Sequence, residues 1–214
     1  MKSIFSKHFN IYFFVPFFLW CILGAYLLYR FDSTTLFTFI NNHYNPVSDR
    51  IMEWASKVGE GWMIAVICVT FFLFKPFRNP WFFATAVLCT VLPALVTQFI
   101  KFQIAAPRPM TVYQNQNWVH HLDHWDLLHN NSFPSGHTTG AFSFLCLLSC
   151  VIPQKYWPVG FVFFILALAV GYARIYLAAH FFRDVYFGSI IGTGFSFIIC
   201  VLVFYFKDKR ELRV

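Results

Sequence analysis

The chain has 214 residues, a length that fits one domain, and 58% of them are hydrophobic while 12% are charged. A soluble average is about 25% charged. Thirty Phe residues add more apolar surface than a soluble domain of this size can cover, which excludes the soluble class and points to a bilayer as solvent. The formal net charge is +7. Its basic residues are scattered over segment ends and loops, with clusters only at the termini, so they fit membrane orientation and anionic headgroups and carry no nucleic-acid signature.

A helix needs about 20 apolar residues to cross a bilayer. The first candidate is Ile11–Tyr29, with Pro16 inside it. Lys2 and Lys7 precede it and no small-residue cleavage site follows, so it reads as an uncleaved span. Residues 31–61 are mixed. Leu36–Ile40 and Ile51–Trp54 suit helices lying flat at the interface. The second span is Trp62–Phe74, followed by the basic turn Lys75-Pro76-Phe77-Arg78-Asn79-Pro80. Trp81–Ile100 is the third, ending at Lys101. A mostly polar stretch then runs to Gly136, and a loop that long is usually functional or disordered. Thr138–Ile152, Tyr156–Tyr172 and Asp184–Phe206 are the fourth, fifth and sixth spans. The expected fold is therefore an all-α integral membrane bundle of six transmembrane helices. It forms a single domain over 1–214, with its motif core at 101–184. Six cysteines (Cys21, Cys68, Cys89, Cys146, Cys150 and Cys200) lie in apolar runs without CxxC spacing, so neither a disulfide nor thiol chemistry is expected.

Six spans put both termini on one side. That side carries Lys2, Lys7, Lys75, Arg78, Lys155, Lys207, Lys209, Arg210 and Arg213, nine basic residues against seven opposite. Three of the seven, Lys101, Arg108 and Arg174, belong to the constellation described next. With those set aside, the positive-inside rule places the termini in the cytoplasm. All the motif pieces then fall on the outer face.

Ionisable residues in an apolar chain mark function by default. Here they read Lys101-x6-Arg108-Pro109, then Pro134-Ser135-Gly136-His137, then Arg174-x5-His180-x3-Asp184. Phosphate and its transition state need several fixed donors. Arg108 and Arg174 offer forked donors and Lys101 a point charge. Ser135 is a good N-cap, Gly136 lets the backbone approach a ligand, and the helix start behind them favours an anion. His180 and Asp184 are spaced to meet if the sixth helix begins near His180. The carboxylate would then fix the imidazole tautomer and free the other nitrogen to attack phosphorus. His137 would protonate the leaving oxygen and later take a proton from water. Nothing in this scheme needs a metal or other cofactor.

These three pieces resemble the tripartite signature of the type 2 phosphatidic acid phosphatases, lipid phosphate phosphatases related to vanadium haloperoxidases. The pattern is K-x6-RP, PSGH, SR-x5-H-x3-D. The one departure is Ala173, where the pattern has Ser, which puts one phosphate hydrogen bond in question. The resemblance implies a metal-independent phosphatase acting through a phosphohistidine on a lipid phosphate or isoprenoid diphosphate at the outer membrane face. It assigns catalysis to His180, His137 and Asp184, and phosphate binding to Lys101, Arg108, Ser135, Gly136 and Arg174. In a Gram-negative cell the site would face the periplasm from the cytoplasmic membrane. The motifs do not choose among undecaprenyl diphosphate, phosphatidylglycerol phosphate, phosphatidic acid and lipid A. Two rival readings are a lipid phosphotransferase with the same histidine chemistry and a non-catalytic ion-binding or transport protein. The latter would use the loop residues His120, His121, Asp123, His124, Asp126 and His129. His120 and His124 have metal-ligand spacing, yet a solvated loop with Trp118 and Trp125 in the interfacial belt is the expected state. Alternatively, that loop caps the site and contacts a headgroup. Arg183 is read as an interfacial anchor.

Overall fold

The computed structural model describes residues 8–72, 79–114, 116–125 and 129–211. Lys2, Lys7, Lys75, Arg78, Asp126 and Arg213 lie outside the described residues, as does the end of the second predicted span. The regular structure of the described residues is all helical, with no strand among them. Its elements are α1 (Ile11–Arg30), α2 (Ser33–Asn41), α3 (Pro46–Val58), α4 (Gly61–Phe72), α5 (Pro80–Ile104), the short α6 (Pro109–Val112), α7 (Gly136–Val151), α8 (Val159–Tyr176) and α9 (Phe182–Glu211).

Four helices are long and apolar enough to cross a membrane: α1, α5, α8 and α9. Two shorter apolar helices, α4 and α7, occupy the positions of the second and fourth predicted spans. Bounds differ from expectation at the last two segments. Gln154–Tyr156 forms a 3₁₀ turn, so α8 starts after Pro158 and runs on to Tyr176. Arg174 does not end that helix, because its charge turns inward.

Helix α7 is the centre of the bundle. Almost every residue from Thr138 to Cys150 is buried, the pattern of a helix enclosed on all sides. It packs on α9, α8, α5 and α4. Gly188 and Gly192 allow the close approach of α9. A Cβ at Gly192 would lie 2.4 Å from the Thr139 carbonyl oxygen, and one at Gly188 would lie 2.8 Å from that of Ser135. This is small-residue packing of the kind membrane helices use.

Two apolar clusters support the bundle. One, rich in Phe, joins Phe13, Phe14 and Phe17 of α1 to Phe142 of α7 and Phe164 of α8. The second gathers Leu36, Phe37 and Ile40 of α2 around the Tyr176–Phe182 connection. It therefore packs directly behind the turn that carries His180. Helix α3 opens with a capping box on Asn45 and Ser48 and with Pro46 at its first turn. Val47, Ile51, Trp54 and Val58 form an exposed apolar stripe along it, while Ser56 faces inward and is fully buried. All six cysteines are free thiols.

Candidate active site

The polar stretch after α5 builds a cradle for cations. Backbone bonds from Arg108 N to His129 O (2.9 Å) and from Ser132 N to Ala106 O (2.9 Å) lay residues 129–132 against 106–108. The carbonyls of that segment then receive the charged groups. Lys101 Nζ donates to Asn131 O at 2.9 Å, and Arg108 Nε donates to Asn130 O at 2.8 Å. Asn131 has φ 58°, a left-handed conformation that Asn tolerates better than most residues, and Arg108 Nη2 also reaches its carbonyl at 3.4 Å. Arg108 Nη1 donates to Ala179 O at 3.0 Å. Burial lowers the Arg108 pKa while Asp184 opposes the shift, and a guanidinium stays charged in any case. Arg174 is 3% exposed, and its Nη1 donates to Ser56 Oγ at 2.6 Å. Its Nε is buried with no hydrogen-bond partner.

These partners are carbonyls and a hydroxyl, which orient the three cations without neutralising them. Lys101, Arg108 and Arg174 act electrostatically on one another, with Asp184 the carboxylate among them. Glu60 adds a weaker attraction on Arg174. The compartment therefore carries a net positive charge.

The Arg174–Asp184 connection supplies the imidazole. Ala178 has φ 52°, a strained turn for a non-glycine residue, of a kind that collects at functional sites. Beyond it His180 is 1% exposed and Asp184 is fully buried. His180 Nε2 lies 3.3 Å from Arg108 Nη1. A guanidinium only donates, so Nε2 must be the acceptor and Nδ1 carries the hydrogen. That hydrogen faces Asp184 Oδ2 at 3.5 Å and Ser132 Oγ at 3.4 Å. The tautomer follows from the neighbours. Burial pushes the His180 pKa down to about 3 against a partial rise from Asp184, so the ring is neutral at ordinary pH.

The expected helical pairing of His180 with Asp184 is met in a different way. Helix α9 begins at Phe182, so His180 lies before it. Asp184 Oδ2 turns back to accept from Phe181 N at 2.9 Å, satisfying an otherwise free donor at the helix start. It also accepts from Ser132 Oγ at 2.5 Å. Arg183, read from the sequence as an interfacial anchor, brings its Nε to 3.5 Å from Asp184 Oδ1.

The middle piece sits between these two. Ser135 caps α7, accepting from Thr138 N at 3.4 Å and Thr138 Oγ1 at 2.9 Å. Its backbone N–H donates to Asp184 O at 2.9 Å, tying the second motif to the third. A Cβ on Gly136 would meet only Lys101 Cε, at 4.0 Å, so the backbone there is open beside the lysine. His137 feels the charges of Arg174, His180, Lys101 and Arg108. Gly59 packs behind it: a Cβ there would lie 3.3 Å from His137 Cβ.

All eight residues singled out from the sequence thus converge on one region. Ser132 and Ser56, both fully buried, were not anticipated. Ser132 stands two residues before the Pro134 motif, which is its one sequence signal. Ser56 comes from a distant helix and gives none. The solvated-loop expectation fails for His120. His120 accepts no solvent role: its N donates to Asn41 Oδ1 at 2.8 Å, its Nε2 lies 2.8 Å from Asp49 Oδ1, and its ring stacks on Tyr44. Trp118 packs on Phe37 and Tyr113. Among the described residues, no group of three or more His, Cys, Asp or Glu is placed to hold a metal ion.

Comparison with known proteins agrees with this geometry. The chain is 28% identical over 186 residues to the lipid A 4'-phosphatase of Porphyromonas gingivalis, covering 81% of this chain and 74% of that one. It is 26% identical over 170 residues to the undecaprenyl-diphosphatase of Sulfolobus acidocaldarius, covering 78% and 76%. Among solved structures it resembles Aquifex aeolicus LpxE with a TM-score of 0.68 and 27% identity, over 80% of this chain and 97% of that one. The model of the PAP2 superfamily matches residues 82–208, more than half the chain and every motif piece, and the chain therefore belongs to the PAP2 superfamily.

Proposed function

We propose that this chain is an integral membrane phosphatase that hydrolyses a lipid-linked phosphate or diphosphate through a phosphohistidine on His180. One observation carries the reading: a neutral imidazole with its tautomer fixed by Arg108 faces two buried arginines and the half-buried Lys101, which lack a matching set of carboxylates. Such a compartment attracts a phosphate dianion and presents a nucleophile to it.

The substrate's terminal phosphate takes the donors of Arg108, Arg174 and Lys101, together with the open backbone at Gly136 and the α7 start capped by Ser135. Phosphate oxygens replace the Arg108–His180 contact, leaving the Nε2 lone pair aimed at phosphorus. The Nε2–P bond forms as the P–O bond to the leaving group breaks, and His137 gives its proton to the departing oxygen. Asp184 and Ser132 hold the Nδ1–H and stabilise the charge that His180 acquires. Water then attacks phosphorus, His137 takes its proton, the N–P bond breaks and phosphate leaves. The side-chain cations supply the charge stabilisation that a metal would otherwise provide.

Helices α1, α4, α5, α7, α8 and α9 form six spans of one domain, with α2 and α3 at the outer interface. The distribution of basic residues favours cytoplasmic termini and an outward-facing site in the bacterial cytoplasmic membrane. A cavity of about 250 Å³ lined by Ile64, Pro93, Ala94, Lys101 and His137 offers the lipid tail a path between α4, α5 and α7. The test is phosphate release from lipid phosphates by detergent-purified protein in EDTA. Wild-type protein should turn over and His180→Ala should not. Acid-labile, alkali-stable label should be trapped on the wild-type chain from ³²P-substrate. Near-normal turnover by His180→Ala would refute the mechanism, and phosphate appearing only on an added acceptor lipid would make the enzyme a transferase.

A further inference from the structure

The loop from Gln116 to Trp125 carries three histidines, His120, His121 and His124, that the proposed reaction does not use. Its apolar side docks on the protein. Trp118, Val119 and Trp125 pack on the cluster around Phe37 and Tyr176. Polar groups then fasten the loop at one residue, His120.

Two side chains do the fastening. Asn41, the last residue of α2, is fully buried. Its Oδ1 accepts from His120 N at 2.8 Å, and its Nδ2 donates to His120 O and to Tyr176 O, each at 2.8 Å. Its oxygen and both of its amide hydrogens are thereby engaged. Asp49, in the first turn of α3, takes the side chains of the same two residues. Its Oδ1 accepts from Tyr176 OH at 2.5 Å and lies 2.8 Å from His120 Nε2. The His120 ring stacks on Tyr44, with centroids 3.8 Å apart, and meets Tyr176 edge-on. Loop, α2, α3 and the end of α8 are thus joined at His120 and Tyr176.

Tyr176 stands between two residues of the phosphate cradle and its nucleophile. It follows Arg174 by two positions and precedes His180 by four. It ends α8, and the last four carbonyls of a helix lack helical partners. Here the carbonyls of Ala173, Arg174 and Ile175 accept from the turn that leads to His180, and the carbonyl of Tyr176 has Asn41. That turn contains Ala178 in a left-handed conformation, which persists only where the surroundings hold it. At the far end of the loop, Trp125 sets its ring 5.9 Å from the Arg174 guanidinium, within cation–π reach. The loop therefore bears on Arg174 from one side while Ser56 holds it from another.

We infer that Asn41 is a positioning residue for the phosphate cradle, with Asp49 as its second fastener. Asn41 locks the 116–125 loop onto the end of α8, and so sets where Arg174 and the His180 turn stand before substrate arrives. His120 serves as the loop's attachment point, since its Nε2 is taken by Asp49 and its backbone by Asn41. Resting on the phosphatase reading for its use in turnover, this arrangement bears equally on any phosphate bound in the cradle.

The experiment measures inorganic phosphate binding, by calorimetry, and lipid phosphate turnover on the same detergent-purified variants in EDTA. Asn41→Ala should weaken phosphate binding about tenfold, the scale of buried partners left unmatched, and should lower kcat/KM at least as much. Tyr176→Phe keeps the packing and removes only the hydroxyl, so it should weaken binding about threefold. His120→Ala should do the same, and His120→Gln, whose amide can still donate to Asp49, should recover part of that loss. Tyr176→Phe combined with His120→Ala should lose less than the product of the single effects, because both act through Asp49. Should Asn41→Ala fail to fold, Tyr176→Phe and the two His120 variants decide the matter. A lowered melting temperature with phosphate affinity and kcat/KM within about twofold of wild type would make the network structural only and overturn the assignment. His120→Gln behaving no better than His120→Ala would overturn the fastening through Asp49. If wild-type protein releases phosphate from no lipid while the variants still weaken phosphate binding, the phosphatase reading alone fails.

Discussion

Removing the Ser132 hydroxyl isolates the contribution of the group that holds the carboxylate. Ser132 is fully buried, its Oγ donates to Asp184 Oδ2 at 2.5 Å, and it stands 3.4 Å from His180 Nδ1. It touches no reacting atom, so it acts through Asp184 as a positioning residue. In Ser132→Ala, Oδ2 keeps the Phe181 N–H at 2.9 Å and the His180 contact at 3.5 Å. The short bond is lost and nothing of similar reach replaces it. A hydrogen bond to a charged group is worth roughly 1.5–3 kcal/mol. If that stabilisation serves the imidazolium-like transition state, kcat should fall about ten- to a hundredfold. KM should change little, because the phosphate contacts come from Lys101, Arg108 and Arg174. The assay is steady-state phosphate release in EDTA across a range of micellar substrate. Ser132→Thr, which keeps the hydroxyl, should recover part of the loss. A kcat within about twofold of wild type would refute the argument, as would a loss confined to KM.

Four further outcomes follow from the same geometry. Asp184→Asn should lower kcat more than Ser132→Ala does, since it removes the charge that stabilises His180, and circular dichroism should show the helices intact. Ser56→Ala should raise KM about tenfold by freeing Arg174, a loss of roughly 1.4 kcal/mol; an unchanged KM would show that Arg174 needs no such support. Gly192→Ala should lower the apparent melting temperature, because its Cβ would meet Thr139 O at 2.4 Å and Ser143 N at 3.0 Å, backbone atoms that cannot step aside, at about 1–3 kcal/mol. Gly194→Ala, with nothing within 4 Å of its Cβ, is the control and should be neutral or stabilising. The pH prediction concerns His180, whose folded pKa of about 3 lies below its ordinary 6.5. Between those values the unfolded chain binds the extra proton, so stability falls as pH drops through that window. His180→Asn should flatten the acid decline of the apparent melting temperature relative to wild type, and parallel declines would count against a neutral buried His180.

Much of the fold was legible because apolar runs and their breaks are local signals. Ser135, read from the sequence as an N-cap, caps α7. The reading slipped where a charge was taken for a boundary. Arg174 stays inside α8 because Ser56 receives it, and α9 continues through Lys207 and Lys209 to Glu211. The motif residues were legible as a set because fixed spacings hold within each piece. Their supporting groups were not. Asn130, Asn131 and Ala179 act through backbone carbonyls, which no side-chain pattern encodes. Ser56 lies 118 residues from its partner Arg174, and Gly188-x3-Gly192 makes sense only once α7 is known to pass there. The docking of His120 depends on Asn41 and Asp49, two residues unremarkable in sequence.

The departure at Ala173 gains a physical account from α3. Ala173 is fully buried, so a hydroxyl there would need a partner in the packed interior. Instead the hydroxyl beside Arg174 comes from Ser56, at 2.6 Å. This moves one support of the phosphate cradle off the motif helix and onto a helix outside residues 82–208. The same helix carries Glu53, one turn before Ser56, and Lys57, next to it, to a polar pocket shared with His137 and Arg174. Its opposite face is the exposed stripe of Val47, Ile51, Trp54 and Val58, suited to the bilayer interface. Inward-facing residues of α3 thus touch Arg174 through Ser56 and the Tyr176 and His120 side chains through Asp49. Seating α3 in the interface fixes both together. Activity in this chain is then expected to depend on how α3 lies in the membrane as well as on the spacing of its motifs, because α3 supplies the hydroxyl that holds Arg174.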